Sequence, residues 1–215
     1  MNSKKNLAIC IPSGRFVDFS FFKSFAQTIA PLMISYNTAV FTVASPLIFE
    51  NRNEILRRAF KLEEKTPGFK FDFLLWIDND IVFTFEQVKK LLSHLEEGDK
   101  EFVSGTYYNM VNDEIKPVAY FKNGERFKWL EEKGLKKEGL MEVDAAGFGF
   151  CAMKTDLARK VSEKFNPRPF GMRFLSDGGV ITEDQVFCER AKELGAKIWL
   201  DPSIVLRHAK GFLPR

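Results

Sequence analysis

Short apolar runs alternate with amphipathic stretches through the first half of the chain. The apolar runs are rich in β-branched and aromatic residues, and they predict strands at residues 7–11, 38–44, 73–78 and 102–106. The stretches between them have apolar residues three and four positions apart, and they predict helices at residues 19–29, 48–62 and 85–95. This order predicts an α/β fold with a mostly parallel, doubly wound sheet that carries helices on both faces. In such sheets ligands bind beyond the carboxyl ends of the strands.

The pattern changes after residue 106. Short aromatic segments, with turn residues at Asn112-Asp113 and Asn123-Gly124, predict a small mixed or antiparallel extension up to residue 129. The charged stretch 133–138 predicts a surface loop. Two later strands, 197–200 and 204–206, are predicted on either side of a turn at Asp201-Pro202. A length of 215 residues fits one domain, 1–215, which could be the first of a longer protein.

Composition excludes several classes of protein. The net charge is +3 with acids and bases interspersed, so the sequence lacks the basic stripe that nucleic-acid binding requires. The 23 phenylalanines are spread along the chain, which indicates core and cleft walls and not a stacking platform for bases. We therefore predict no nucleic-acid partner, whereas a small anionic ligand remains compatible with this charge.

Cysteine usage and the N-terminal segment indicate a compartment. Cys10, Cys151 and Cys188 are odd in number and lie in or beside apolar segments, so we predict no disulfide framework and a reducing environment. The polar residues 1–5 precede only one strand of apolar residues, which is too short for a signal peptide or a membrane span. The sequence thus predicts a soluble, cytoplasmic protein.

Two carboxylates stand in the apolar run 73–83, at Asp78 and Asp80. If the run is extended, both side chains project to one side, with Cα atoms about 6.5–7 Å apart. A divalent cation that prefers oxygen ligands is a common reason to keep two carboxylates at the end of a buried strand. The alternative is a polar turn before the next helix. However, Thr84 and Gln87 form a capping-box pattern for that helix, so neither aspartate is needed as a cap.

Other segments carry further candidate chemistry. Gly147 and Gly149 belong to a loop-strand unit, 143–153, whose small residues would permit close approach of a ligand to the backbone. Thr182 and Gln185 predict a capping box that places Glu183 and Asp184 in the first turn of a helix. The alternative for these two acids is a favourable interaction with the helix dipole alone.

The chain has two histidines. His94 lies at a polar helix end and is predicted to be a surface residue. His208 follows a predicted strand between Arg207 and Lys210, which makes it the better ligand candidate, although a structural role is the common alternative.

The order of these motifs resembles that of the GT-A glycosyltransferases. The resemblance rests on a first strand ending in Ile11-Pro12-Ser13, the pair Arg52-Asn53, Asp78-Asn79-Asp80, the Gly147 to Gly149 unit, Thr182-Glu183-Asp184 and His208. It covers nearly the whole chain and is closest to compact soluble members encoded by large DNA viruses of algae. It implies a Rossmann-like domain in two halves. Residues 1–106 would bind the nucleotide, and residues 107–215 would bind the acceptor and complete the metal site.

The resemblance implies a nucleoside diphosphate sugar as donor, by family default a UDP-sugar, and a glycan hydroxyl as acceptor. Asp80 and His208 would bind Mn²⁺ or Mg²⁺, with Asp78 nearer the ribose or the water shell of the metal. Mixed carboxylate and imidazole ligands suit Mn²⁺ somewhat better. Asp184, or failing that Glu183, would be the base of an inverting hexosyl transfer.

The remaining implied contacts are with the donor. Arg207 and Lys210 would stabilise the leaving diphosphate, and Arg52 would contact the diphosphate or the sugar. The first-strand end would contact the base and ribose. The complete set of implied donor-binding residues is Pro12, Ser13, Gly14, Arg15, Arg52, Asp78, Asn79, Gly147, Gly149 and Lys210. The chain is expected to act as a monomer.

The sequence also departs from the family pattern. Pro12-Ser13-Gly14-Arg15 lacks the Tyr-Asn or Thr-Asn pair common after the first strand, which leaves the nucleotide contacts open. No Gln-x-x-Arg-Trp element follows Asp184, which argues for single addition and against a processive synthase.

Two alternatives belong to other classes. The run before Asp78 also resembles the first motif of haloacid-dehalogenase-type phosphatases, in which this aspartate would be the nucleophile. Its place on the third predicted strand, and the lack of a clear downstream Asp-Asp element, argue against that class. The second alternative is a non-catalytic module that binds sugar nucleotides.

Overall fold

A computed structural model describes residues 4–136 and 138–209. Strands and helices alternate through the first half, as predicted. In chain order these are β1 (Asn6–Ser13), α1 (Phe19–Ser35), β2 (Asn37–Ala44), α2 (Ile48–Lys65), β3 (Phe73–Ile77), β4 (Ile81–Val82), α3 (Phe85–Glu96) and β5 (Phe102–Thr106). Helix α1 is longer than predicted because it continues through Pro31, with Leu32 buried in the core.

Short strands dominate the second half. They begin with β6 (Tyr108–Val111), β7 (Glu114–Pro117), β8 (Ala119–Asn123) and β9 (Arg126–Trp129), followed by a 3₁₀ turn (Glu132–Gly134). The later elements are β10 (Met141–Val143), β11 (Ala145–Ala146), β12 (Phe150–Lys154), α4 (Thr155–Lys164), β13 (Arg173–Phe174), β14 (Val180–Ile181), α5 (Glu183–Glu193), β15 (Ile198–Val205) and β16 (Arg207–His208). The predicted hairpin turns are confirmed by the left-handed φ angles of Asn112 (50°), Asp113 (62°) and Gly124 (64°).

The central sheet has seven strands in the order β10-β15-β5-β12-β3-β1-β2. Strands β1, β2, β3, β5 and β15 run in one direction, whereas β10 and β12 run in the opposite one. The predicted mostly parallel sheet is therefore confirmed. Because β1, β3, β5 and β15 are parallel, their carboxyl ends share one edge of the sheet, and this edge holds Gly14, Asp78, Tyr107 and Leu206 directly after the strands.

Two local predictions were wrong, and one helix was not predicted. The run 73–83 is not one extended strand: β3 ends at Ile77, and a bond from Ile81 N–H to the Asp78 carbonyl (3.1 Å) closes a turn. Asp201-Pro202 is not a turn between strands, because β15 continues through it with a register shift against β5. Helix α4 was not predicted, since it follows β12 with no intervening loop residues; its buried side chains include Leu157, Ala158 and Val161.

Aromatic side chains fill much of the core, as predicted. Trp76, Phe148, Phe170 and Phe187 are fully buried and contact one another at ring-centroid distances of 4.5–5.9 Å. All three cysteines are buried and free, as predicted. Within residues 4–136 and 138–209, we find no helix of the length and hydrophobicity needed to cross a membrane. The hydrophobic core includes strands from both predicted halves of the chain.

Candidate active site

The turn that carries Asp78, Asn79 and Asp80 is fixed on two sides. The Asp78 N–H donates to the carbonyl of Gly149 (2.9 Å), which ties the turn to the glycine unit. The Asn79 amide donates to Ser13 Oγ (2.9 Å) and to the carbonyl of Phe16 (2.8 Å), which ties it to the loop after β1. Asn79 therefore holds the first-strand loop beside the two aspartates.

Asp80 and His208 are brought together by pairing of two short strands. β16 runs antiparallel to β4, with His208 opposite Ile81, and the Ala209 N–H donates to the Asp80 carbonyl (2.7 Å). As a result, His208 Nε2 lies 3.0 Å from Asp80 Oδ2, and His208 is only 6% exposed. The structure thus places these two predicted ligands in direct contact.

The donor set suits a divalent cation. Carboxylate oxygen and imidazole nitrogen are both ligand types for such ions, and here Asp80 Oδ2 and His208 Nε2 are in direct contact at 3.0 Å. Among residues 4–136 and 138–209, no group of three or more His, Cys, Asp or Glu side chains could hold a metal ion. The pair alone would therefore leave most coordination positions to ligand oxygens and water.

Arg52 lies beneath the acidic residues. It is 3% exposed, and its Nη2 is 3.3 Å from Asp78 Oδ1 while its Nε is 3.5 Å from Glu183 Oε1. The guanidinium also lies over the ring of Phe148, 5.1 Å from its centroid. Arg52 therefore contacts Asp78 and Glu183 from the buried side of the cluster. A direct contact of Arg52 with a ligand stays a prediction.

Burial shapes the electrostatics of this cluster. Burial raises the pKa of Asp78. The positive charge of Arg52 lowers this pKa in part, whereas the negative charges of Asp80 and Asp184 raise it further. Burial also raises the pKa of Glu183, and the positive charge of Arg52 again lowers it in part. Burial alone would lower the pKa of Arg52. The surrounding carboxylates raise it by more, so the pKa of Arg52 lies above its ordinary value.

The raised pKa of Asp78 gives a pH-dependent prediction. The folded protein keeps this proton to a higher pH than the unfolded chain, so the stabilisation from the group is complete below about pH 4 and is lost as the pH rises through the raised pKa. We therefore expect the free energy of unfolding of Asp78→Asn to increase relative to that of the parent as the pH rises, so the variant becomes relatively more stable. Denaturant titrations across the acidic to neutral range measure this difference.

Asp144 provides a control of opposite sign. Burial alone would raise the pKa of Asp144. Hydrogen bonds from the Lys192 side chain and the Lys122 N–H lower it by more, so the pKa lies below its ordinary value. Its stabilisation is therefore present at neutral pH and lost on acidification. Asp144→Asn should lose most stability at neutral pH and least in acid. Parallel pH profiles for the two variants would contradict the assignment for Asp78.

The start of α5 presents the two predicted catalytic acids differently. The predicted capping box is present, with Gln185 Oε1 accepting from the Thr182 N–H (3.1 Å). Asp184 Oδ1 accepts from the Gln185 N–H (2.8 Å) and from Thr182 Oγ1. Glu183 is 8% exposed and paired with Arg52, whereas Asp184 is only partly buried.

Tyr107 is a site residue that the sequence analysis missed. Its hydroxyl accepts from the Gly149 N–H (3.0 Å), and its ring lies 6.1 Å from the ring of His208. A Cβ on Gly147 would lie 2.1 Å from Tyr107 Oη, and one on Gly149 would lie 2.7 Å from Tyr107 Cζ. The space left by the missing side chains of Gly147 and Gly149 is thus occupied by Tyr107. Donor contacts from Gly147 and Gly149 stay a prediction.

We expect Gly147→Ala to destabilise the fold. The added methyl group would overlap Tyr107 Oη and lie 2.6 Å from Val118 Cγ1, and overpacking of this kind costs about 1–3 kcal/mol. Gly171→Ala is the matched control, because its Cβ meets Arg190 atoms no closer than 3.6 Å. Chemical denaturation measures the free energy of unfolding of both variants.

A double mutant separates this contact from a general effect. Removing the hydroxyl, in Tyr107→Phe combined with Gly147→Ala, should recover part of the loss. If Gly147→Ala is as stable as the parent, or if Tyr107→Phe makes no difference to its cost, the packing described here is wrong.

The remaining predicted residues surround this cluster. Pro12 and Ser13 are buried at the end of β1, where the Asn51 amide donates to the Ser13 carbonyl (2.9 Å), while Gly14 and Arg15 are exposed. Arg207 is exposed, whereas Lys210 lies outside the described residues. His94 was predicted to be a surface residue but is partly buried, with Nε2 2.8 Å from Asp201 Oδ2.

One signal in the sequence could have identified Tyr107. It directly follows a predicted strand, as Asp78 does, and parallel strands bring such positions to one edge. For Asn51, within α2, the sequence offers no comparable signal.

The architecture is a GT-A fold, the fold of the GT-A glycosyltransferases. Two solved structures show the likeness. The viral protein A197 from STIV is 18% identical, with a TM-score of 0.57, and the match covers 98% of this chain and 97% of that one. GalNAc-T7, solved with UDP, GalNAc and Mn²⁺, is 9% identical with a TM-score of 0.55, and the match covers 95% of this chain and 43% of that one.

No protein-family model and no curated protein matches the sequence. At these identities the structural likeness establishes the fold alone. The predicted GT-A fold is thereby confirmed.

Proposed function

We propose that this protein is a glycosyltransferase that moves a hexose or deoxyhexose from a nucleoside diphosphate sugar, a UDP-sugar, to a glycan hydroxyl. The observation that carries the proposal is the contact between Asp80 and His208 at the carboxyl edge, with Asp78 beside it. This edge is where α/β sheets bind ligands. The UDP and Mn²⁺ in the GalNAc-T7 structure support the same ligand classes.

Asp80 and His208 would hold the metal, and Asp78 would bind the ribose or a water of the metal. When bound, Mn²⁺ or Mg²⁺ would neutralise charge on the diphosphate. We assign Arg207, which is exposed on β16, and Lys210 to the leaving diphosphate. Pro12, Ser13, Gly14 and Arg15 would contact the base and ribose.

Asp184 is the better candidate for the base. Both of its hydrogen bonds within the described part of the chain end on Oδ1, which leaves Oδ2 to accept the proton of the acceptor hydroxyl. Glu183 is buried and paired with Arg52, so it cannot reach an acceptor without breaking that pair. We therefore assign Glu183 and Arg52 to positioning, and we propose a single displacement with inversion at the anomeric carbon.

The absence of a Gln-x-x-Arg-Trp element in the sequence supports transfer of a single sugar. We further propose that the chain is a cytoplasmic monomer and forms one domain. Residues 1–106 would provide most of the donor site, and residues 107–215 would bind the acceptor and complete the metal site.

A thermal-shift screen tests the proposal. UDP with Mn²⁺ should raise the melting temperature, because a ligand that binds only the folded state stabilises it, and neither component alone should match the effect. A panel of UDP-hexoses should then show Mn²⁺-dependent release of UDP. Stabilisation without any hydrolysis or transfer would favour the non-catalytic binding module instead.

The phosphatase alternative has its own test. If the protein released phosphate from simple phosphomonoesters, and if Asp78→Asn abolished that release, Asp78 would be a nucleophile and the proposed function would be wrong.

A further inference from the structure

Helix α1 exposes an apolar stripe on the side opposite the core. Its buried residues are Phe21, Ser24, Thr28 and Leu32, of which two are polar. The exposed positions include Phe19 (77% exposed), Phe22 (57%) and Met33 (58%), with Ala26 and Ala30 between them. At 100° per residue, these five positions fall within about 80° of the helix circumference and extend over about 21 Å.

The loop before the helix continues this stripe with Phe16, which is 79% exposed, and Val17. We call Phe16, Val17 and the five exposed α1 positions the α1 apolar face. Scattered exposed apolar side chains are ordinary, but a contiguous patch of this kind marks a binding surface.

The helix cannot turn this face inward. Its N-terminus is capped by Asp18, whose side chain accepts from the Ser20 N–H (2.7 Å). On the buried side, Ser24 Oγ accepts from the Phe83 N–H (3.2 Å). The bond between Ser24 and Phe83, together with the burial of Phe21 and Leu32, sets the rotation of α1 against the core, so the exposure of the phenylalanines belongs to the fold.

Charge indicates what binds there. Residues 4–35 contain four cations, of which Lys5 is paired with Asp72 (3.1 Å), and one acid, Asp18, which is used as the cap. The cations flank both ends of the face: Arg15 lies 5.6 Å from the Phe16 ring, and Lys4 Nζ donates to the Met33 carbonyl (3.3 Å). Lys23 is exposed on α1 itself. An aromatic stripe with a cationic border is complementary to an anionic lipid surface.

A second copy of the chain fits this face less well. In a two-fold arrangement the same patch meets itself, and an antiparallel pairing of α1 would bring the cations at one end towards those at the other. We therefore propose that the α1 apolar face docks the protein on an anionic membrane surface, with the helix lying in the plane of the interface.

Docking through this face brings the candidate site to the bilayer. Phe16 belongs to the loop that Asn79 holds, and the Asp18 N–H donates to the Asn79 carbonyl (3.2 Å). The carboxyl edge of the sheet therefore lies beside the docked loop. If the proposed transferase function holds, on which this step rests, the acceptor is a sugar hydroxyl on a membrane lipid.

Vesicle sedimentation tests the docking without donor or metal. The intact protein should bind vesicles of phosphatidylcholine and phosphatidylglycerol in equal amounts, and should bind pure phosphatidylcholine weakly. The double variant Phe19→Ser, Phe22→Ser should lose about a hundredfold in partitioning, roughly tenfold for each phenylalanine. Phe174→Ser, at a residue 74% exposed on β13, should bind as the parent does. Circular dichroism and melting temperature establish that all variants fold.

Each outcome decides the proposal. Equal binding by the parent and the double variant, or no binding by the parent, overturns it. Dimerisation of the parent that the double variant loses, without vesicle binding, assigns the face to a second copy. Because UDP release is measured in solution, a double variant that hydrolyses donor normally but fails to bind vesicles supports docking separately from catalysis. If UDP release is absent while vesicle binding is as expected, the proposed function fails alone.

Discussion

Asp80→Ala and His208→Ala should each abolish Mn²⁺-dependent binding of UDP while leaving the fold intact. The two side chains meet at 3.0 Å, so either substitution removes one of the two proposed protein ligands. Mutation of residues that only support metal ligands costs about 10–100-fold in affinity, and loss of a ligand should cost more. Calorimetric titration of UDP in the presence of Mn²⁺ measures nucleotide binding. The electron paramagnetic resonance signal of free Mn²⁺ measures metal binding.

The chain offers a matched control for this experiment. His94 and Asp201 form a second histidine-aspartate contact, at 2.8 Å, in which Lys90 also lies near Asp201. His94→Ala should leave Mn²⁺ and UDP binding unchanged. Unaltered titrations in both Asp80→Ala and His208→Ala, or an equal loss in His94→Ala, would remove the metal assignment.

Asp184→Asn should lose transfer by a factor on the order of 10²–10⁴, the usual contribution of a general base. The asparagine can still accept the Gln185 N–H that Asp184 Oδ1 accepts now (2.8 Å), so the start of α5 should persist. Donor affinity should therefore be retained. Initial rates with a saturating UDP-sugar, compared with UDP binding by the same variant, separate the two effects.

Glu189→Gln is the control, because it removes a carboxylate from the same helix that pairs with Arg173 and Lys122. It should transfer at the parental rate. NMR of the product gives the configuration at the anomeric carbon. Near-normal turnover of Asp184→Asn, or a product with retained configuration, is incompatible with Asp184 as the base of a single displacement.

Local pattern was sufficient to predict the α/β scaffold. Strand β5 was predicted with its observed limits, and the cap of α3 formed as its Thr84 and Gln87 indicate, since strand alternation and capping depend on neighbours in the sequence. The same reasoning failed for Asp78 and Asp80. Their placement on one side of an extended strand assumed that β3 continues, whereas tertiary pairing of β4 with β16 leaves them in a turn.

The candidate site could be predicted only in part. The proximity of Asp80 and His208 came from the resemblance to a family, because no spacing in the sequence indicates that β16 pairs with β4. Tyr107 and the two glycines show the same limit. Their contact depends on how two loops pack, and small residues in a sequence do not reveal whether a ligand or a tyrosine ring occupies the space above them.

The pairing of β4 with β16 also bears on synthesis of the protein. All seven strands of the central sheet are complete once residue 205 has been made, but His208 belongs to the short strand that follows. A chain whose synthesis stops between residues 205 and 208 therefore retains every strand of the central sheet and still lacks half of the Asp80–His208 pair. Under the proposed function, such a chain would not consume donor, so turnover would be confined to molecules translated past this histidine.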